Sequence, residues 1–66
     1  MNINKLKGKL RECNVTYEKA AECLNLSIAS FNNKMNEKSK FYIDEIDKLS
    51  KFLNLTDSEI IEIFLS

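Results

Sequence analysis

The chain has no proline, one glycine, no tryptophan and no histidine. Each absence excludes something. Without Pro, and with Gly only at position 8, it is not built from Gly/Pro turns. At 44% apolar it is too hydrophobic for a disordered tail. No apolar run approaches the ~20 residues needed to span a bilayer. The opening "MNINKLKGKL" holds no signal-peptide core. A cytoplasmic protein with no membrane role is therefore expected. Cys13 and Cys23 are the only cysteines. With no His, they fall short of the four ligands of a structural zinc site, so no metal is expected. One disulfide is arithmetically possible; in a reducing cell both residues serve as small apolar fillers.

What is present is helical periodicity over 66 residues, enough for one domain spanning residues 1–66. Ile3, Leu6, Leu10 and Cys13 mark the inner face of a first helix, capped by Asn2 and ending near Asn14. Thr16 caps a second, with Glu18 in its first turn and Ala20, Ala21 and Leu24 inward. Asn25 tolerates the left-handed conformation that ends a helix, and Ser27 caps the third. Phe31 and Met35, four apart, pin that helix to the core. "NEKSKF" is a polar loop. Ile43, Ile46, Leu49, Phe52 and Leu53 mark a fourth helix, with Asp44 and Glu45 at its start. Thr56 and Glu59 form a capping box before Ile60, Ile61, Ile63, Phe64 and Leu65. Five helices are expected, without strands, repeats or low-complexity tracts.

The net charge is zero, but it is unevenly distributed. Residues 1–40 carry eight cations against four carboxylates, net +4; residues 41–66 carry two against six, net −4. Such a division is expected to offer one face to a polyanion and keep another away from it. Asp44, Glu45 and Asp47 form an acidic cluster, yet helix-start electrostatics explains the first two. No His, Gly-rich loop or nucleophile set accompanies them, so neither an enzyme nor a cofactor is expected.

The arrangement of Thr16, Ala21, Leu24-Asn25-Leu26, Ser27, Phe31, Met35 and "NEKS" resembles the lambda-repressor-like fold of the Cro/C1-type (XRE) helix-turn-helix family. The resemblance covers essentially the whole chain, and "IDEIDKLSKFLNLTDSEIIEIF" looks like the tail of its small phage members. It differs from the family pattern at three points. Tyr17 stands where many members have Gln, Asn25 replaces the usual turn Gly, and Glu37 replaces the Gly after the recognition helix.

The resemblance implies an all-α, five-helix domain with the helix-turn-helix in helices 2 and 3. It implies a phage-type transcriptional regulator whose recognition helix, residues 28–36, lies in the major groove of double-stranded DNA. Its outward positions Ile28, Ala29, Asn32 and Asn33 become the base contacts. Asn pairs with adenine and Ile or Ala packs on a thymine methyl, so A·T-rich half-sites are expected. Tyr17, Lys34, Asn36, Lys38 and Lys40 become phosphate contacts. Plainer roles exist for the same residues. Ile28 can staple the helix start, Asn32 and Asn33 can be solvated surface, and the Lys cluster can be a solvated loop.

One recognition helix reads too few base pairs for specificity, so a homodimer is expected. If Ile60, Ile61 and Phe64 face the core, Ile63 and Leu65, with Phe52 or Leu55, are left for the dimer surface. A small-molecule ligand is not expected at this size. The alternative is an interaction module or antirepressor that keeps the fold without binding DNA.

Overall fold

The computed structural model describes residues 1–65, which form α1 (Ile3–Glu12), α2 (Tyr17–Cys23), α3 (Ile28–Met35), α4 (Ile43–Phe52) and α5 (Asp57–Phe64). No strand occurs among the described residues, and no helix among them is long and apolar enough to cross a membrane.

The caps form as the sequence indicates. The Asn2 Oδ1 accepts from the Lys5 amide at 3.2 Å, Thr16 Oγ1 from Lys19 at 3.1 Å and Ser27 Oγ from Ser30 at 3.1 Å. At α5 the capping box is reciprocal, with Glu59 N donating to Thr56 Oγ1 at 3.2 Å and Thr56 N to Glu59 Oε1 at 2.9 Å. Helix α4 has no side-chain cap from Tyr42; instead the Tyr42 amide donates to Glu45 Oε1 at 2.8 Å.

The helix ends show a recurrence that residue spacing did not suggest. Asn14, Asn25 and Asn54 all take positive φ, 57°, 58° and 54°. Each is followed by an apolar residue and then a Ser or Thr cap: Asn14-Val15-Thr16, Asn25-Leu26-Ser27, Asn54-Leu55-Thr56. The apolar residue's amide donates to the carbonyl five residues back, Val15 to Leu10 at 2.8 Å, Leu26 to Ala21 at 2.9 Å and Leu55 to Ser50 at 2.9 Å. Its side chain packs against the core. This is the Schellman closure, with Asn doing what Gly usually does. The fourth corner, after α3, closes the same way through Lys38 N and Asn33 O at 2.9 Å, but its left-handed residue is Glu37, at φ 60°.

The core is Leu6, Leu10, Ala20, Ala21, Leu24, Phe31, Met35, Leu49, Leu53 and Ile63. Edge-to-face rings run through it from Tyr17 to Phe31 to Phe41 to Phe64, with centroids 5.4, 6.0 and 5.8 Å apart. Ala20 and Ala21 present no side chain beyond Cβ, which lets α3 lie close against α2.

Helix α5 is rotated from the expected orientation. Ile63, expected to face outward, is fully buried, and Ile61, expected to face the core, is 56% exposed; Leu65 is exposed as expected. The cause is the packing of α1 on α5. Lys5 pairs with Glu62 at 2.7 Å, Lys9 pairs with Glu59 at 2.8 Å, and the Asn2 amide donates to the Ile63 carbonyl at 2.7 Å. These contacts turn the 59, 62, 63 side of α5 toward α1. Ile63 therefore cannot belong to a dimer surface. Two smaller expectations also fail. Cys13 is exposed, its Sγ 3.9 Å from the Leu53 carbonyl oxygen, because α1 ends at Glu12. Ile43 is exposed because it opens α4 on the side away from Leu49 and Leu53. Both cysteines are free thiols.

Candidate nucleic-acid interface

Helix α3 is anchored from below by Phe31 and Met35, both essentially inaccessible to solvent. That fixes its outer face. Ile28, Ala29, Asn32 and Asn33 are all exposed, on one side of the helix, with Asn36 at its C-cap also exposed. Ile28 is half exposed at 50%, so the staple role suggested for it is not its whole environment. None of these side chains has a hydrogen-bond partner among the described residues. Two carboxamides and two aliphatic groups stand ready for an external surface.

The basic residues divide differently from the expectation. Lys34 is buried. Its Nζ lies 3.0 Å from Glu45 Oε1, donates to the Lys40 carbonyl at 2.8 Å and sits 4.5 Å from the Tyr42 ring centroid. Glu45 is buried with it and also accepts from the Tyr42 amide. The ammonium is spent on internal partners, so Lys34 cannot be a phosphate contact. It fastens the loop after α3 to the start of α4 instead. Lys38 and Lys40 on that loop are exposed, and their side chains have no ion-pair partner among the described residues. Tyr17 is partly buried, its ring edge-on to Phe31.

The charge division has a structural explanation. Three cations of the first 40 residues pair with carboxylates of the last 26: Lys5 with Glu62, Lys9 with Glu59, Lys34 with Glu45. Three of the eight cations are thus tied across the two parts of the chain. The Lys9 bond, with help from the Thr56 amide, holds the Glu59 carboxyl down at about 2, and the same bond raises the Lys9 ammonium above its ordinary value.

Two residues escaped the sequence reading. Lys7 and Arg11, with Leu10, Val15 and Tyr17, line a shallow groove beside the start of α2. Their i, i+4 spacing on the edge of α1 opposite Lys5 and Lys9 was the available signal. A second groove is lined by Met1, Glu37, Ser39, Lys40, Phe41, Ile46 and Phe64. No group of three or more His, Cys, Asp or Glu among the described residues is placed to hold a metal ion.

No family model, curated protein or solved structure matches the chain.

Proposed function

We propose that this protein is a sequence-specific DNA-binding regulator of the lambda-repressor-like, Cro/C1 type, with α2 and α3 as its helix-turn-helix. The observation that carries the reading is the outer face of α3. Its core side is pinned by Phe31 and Met35, and its free side offers Ile28, Ala29, Asn32 and Asn33. Asn33 and Asn32 have the paired donor and acceptor that adenine presents in the major groove; Ile28 and Ala29 suit thymine methyls. Lys38, Lys40 and Asn36 hold phosphates on the loop side. Two copies bind half-sites about 34 Å apart, and the outer stripe of α5, Ile61 and Leu65, with Phe52 exposed at the end of α4, supplies the contact between them.

Selection from a random duplex pool tests this. The expected product is an A·T-rich inverted repeat, and Asn33→Ala loses about 1–3 kcal/mol on it while random DNA is bound as before. An unrepeated site removes the dimer; a pool that never departs from random removes the reading. A second reading, a protein-docking module without DNA binding, is favoured by Ile43 and Tyr42, 85% and 67% exposed at the start of α4. It predicts no duplex binding even at low salt.

A further inference from the structure

Two surface features have no partner within the chain, and they are opposite in kind. The first is a knob. Ile43 opens α4 and is 85% exposed. Asp44 follows it and Asp47 lies one turn on, so carboxylates border the aliphatic group on the helix surface. Asp47 pairs with Lys51 at 3.1 Å, whereas Asp44 has no ion-pair partner among the described residues. The second is a socket. Lys7, Arg11 and Tyr17 line a groove of about 250 Å³ whose apolar part is Leu10 and Val15. Lys5 and Lys9, on the other edge of α1, are tied to Glu62 and Glu59. Lys7 and Arg11 have no ion-pair partner among the described residues. Like charges one turn apart repel along a helix, so an outside carboxylate relieves this pair.

Knob and socket are complementary. An aliphatic side chain faces an aliphatic floor, and a carboxylate faces an ammonium and a guanidinium whose planar fork takes both its oxygens. The knob lies on α4 and the socket between α1 and α2, so every copy carries both. Ile43 stays exposed in the folded chain, so the knob does not occupy its own socket. An apolar projection that fits a pocket elsewhere on the same surface makes a head-to-tail contact, which repeats from copy to copy instead of closing as a twofold.

We propose that Ile43 and Asp44 of one copy seat in the Lys7–Arg11 groove of a second copy, so that the protein associates with itself head to tail. The contact is separate from the exposed stripe of α5 and does not depend on DNA. One buried side chain and exposed ion pairs make a small interface, so the association is weak, transient and weakened further by salt.

The test is an NMR dilution series on the full chain from about 2 mM to about 0.02 mM, the range in which so small a contact titrates. Backbone amide shifts are expected to move with concentration in two separate places, around Ile43 and Asp44 and around Lys7, Arg11 and Val15, with one midpoint. Ile43→Gln/Asp44→Asn removes the knob and Lys7→Gln/Arg11→Gln the socket, each checked for an otherwise unchanged spectrum. Either variant alone is expected to associate at least about tenfold more weakly than the parent. Mixing them restores one native contact, because each still carries the half that the other lacks. The labelled knob variant then shifts around Lys7 and Arg11 only, and the labelled socket variant around Ile43 and Asp44 only. A parent spectrum that does not change with concentration overturns the proposal. So do shifts confined to Phe52, Ile61 and Leu65, which assign self-association to α5, and a mixture that stays monomeric while the parent associates. Shifts around Lys7 and Arg11 on adding inorganic phosphate, with none on concentrating the protein, give the groove to an anion and overturn it as well.

Discussion

Replacing Lys34 with Met tests what the buried ion pair does. The substitution keeps the unbranched stem and removes the charge. It strands the Glu45 carboxylate, only 9% exposed, with the Tyr42 amide as its remaining hydrogen-bond donor. Removing one partner of a buried pair costs about 3–5 kcal/mol. A 66-residue domain has roughly 3–10 kcal/mol in total, at about 0.05–0.15 kcal/mol per residue. Lys34→Met therefore lies near the edge of folding at 25 °C. The decisive comparison is a cycle. Adding Glu45→Gln to Lys34→Met removes the stranded charge, so the double variant is expected to be more stable than Lys34→Met alone, with a coupling of about 2 kcal/mol. Urea denaturation followed by circular dichroism gives each value. A loss under about 1 kcal/mol for Lys34→Met, or costs that simply add, would refute the pair as a structural tie. The folded double variant is also expected to keep the parent's salt slope for DNA, because Lys34 touches no phosphate. A slope shallower by one unit would return Lys34 to the backbone contacts.

Two further outcomes follow from the corners and the α1–α5 pairs. Glu37→Gly is expected to stabilise the protein by about 1 kcal/mol, the cost of holding a side chain in the left-handed region, and to raise the melting temperature several degrees; a fall would refute it. Glu59 takes its proton at about 2 in the folded state against 4.5 ordinarily, so its contribution is present above pH 4.5 and is lost as pH falls toward 2. Urea midpoints at pH 7 and pH 3 are therefore expected to differ less in Glu59→Gln than in the parent. Parallel losses would show that the Lys9 bond adds no stability.

The helices were legible because their signals are local. Asn2, Thr16, Ser27 and Thr56 lie within three residues of the amides they cap. Phe31 and Met35 gave the inner side of α3 by spacing alone. The rotation of α5 was not legible. Ile60, Ile61 and Phe64 make as good a helical stripe as Ile60, Ile63 and Phe64, and the choice between them comes with the packing of α1, some fifty residues earlier, where Lys5, Lys9 and the Asn2 amide meet Glu62, Glu59 and the Ile63 carbonyl. Lys34 misled for a related reason. A Lys near the end of an amphipathic helix looks solvated until its partner, Glu45, is placed by the turn of the chain after α3. The charge division is real in sequence, and three of its eight cations, Lys5, Lys9 and Lys34, meet carboxylates far along the chain, which spacing alone could not show.

The three Asn corners have a kinetic consequence. Each closes through bonds spanning at most five positions, so Leu10 to Thr16, Ala21 to Ser27 and Ser50 to Thr56 can form before any distant part of the chain arrives. Closing such short loops takes about 10–100 ns. A fold turned by local corners belongs with the helical domains that fold in microseconds to milliseconds. The step that has to wait is the meeting of α1 and α5, where the Asn2 amide finds the Ile63 carbonyl. That joint closes nearly the whole length of the chain, so its contacts carry the largest loop-closure entropy and are expected to form last.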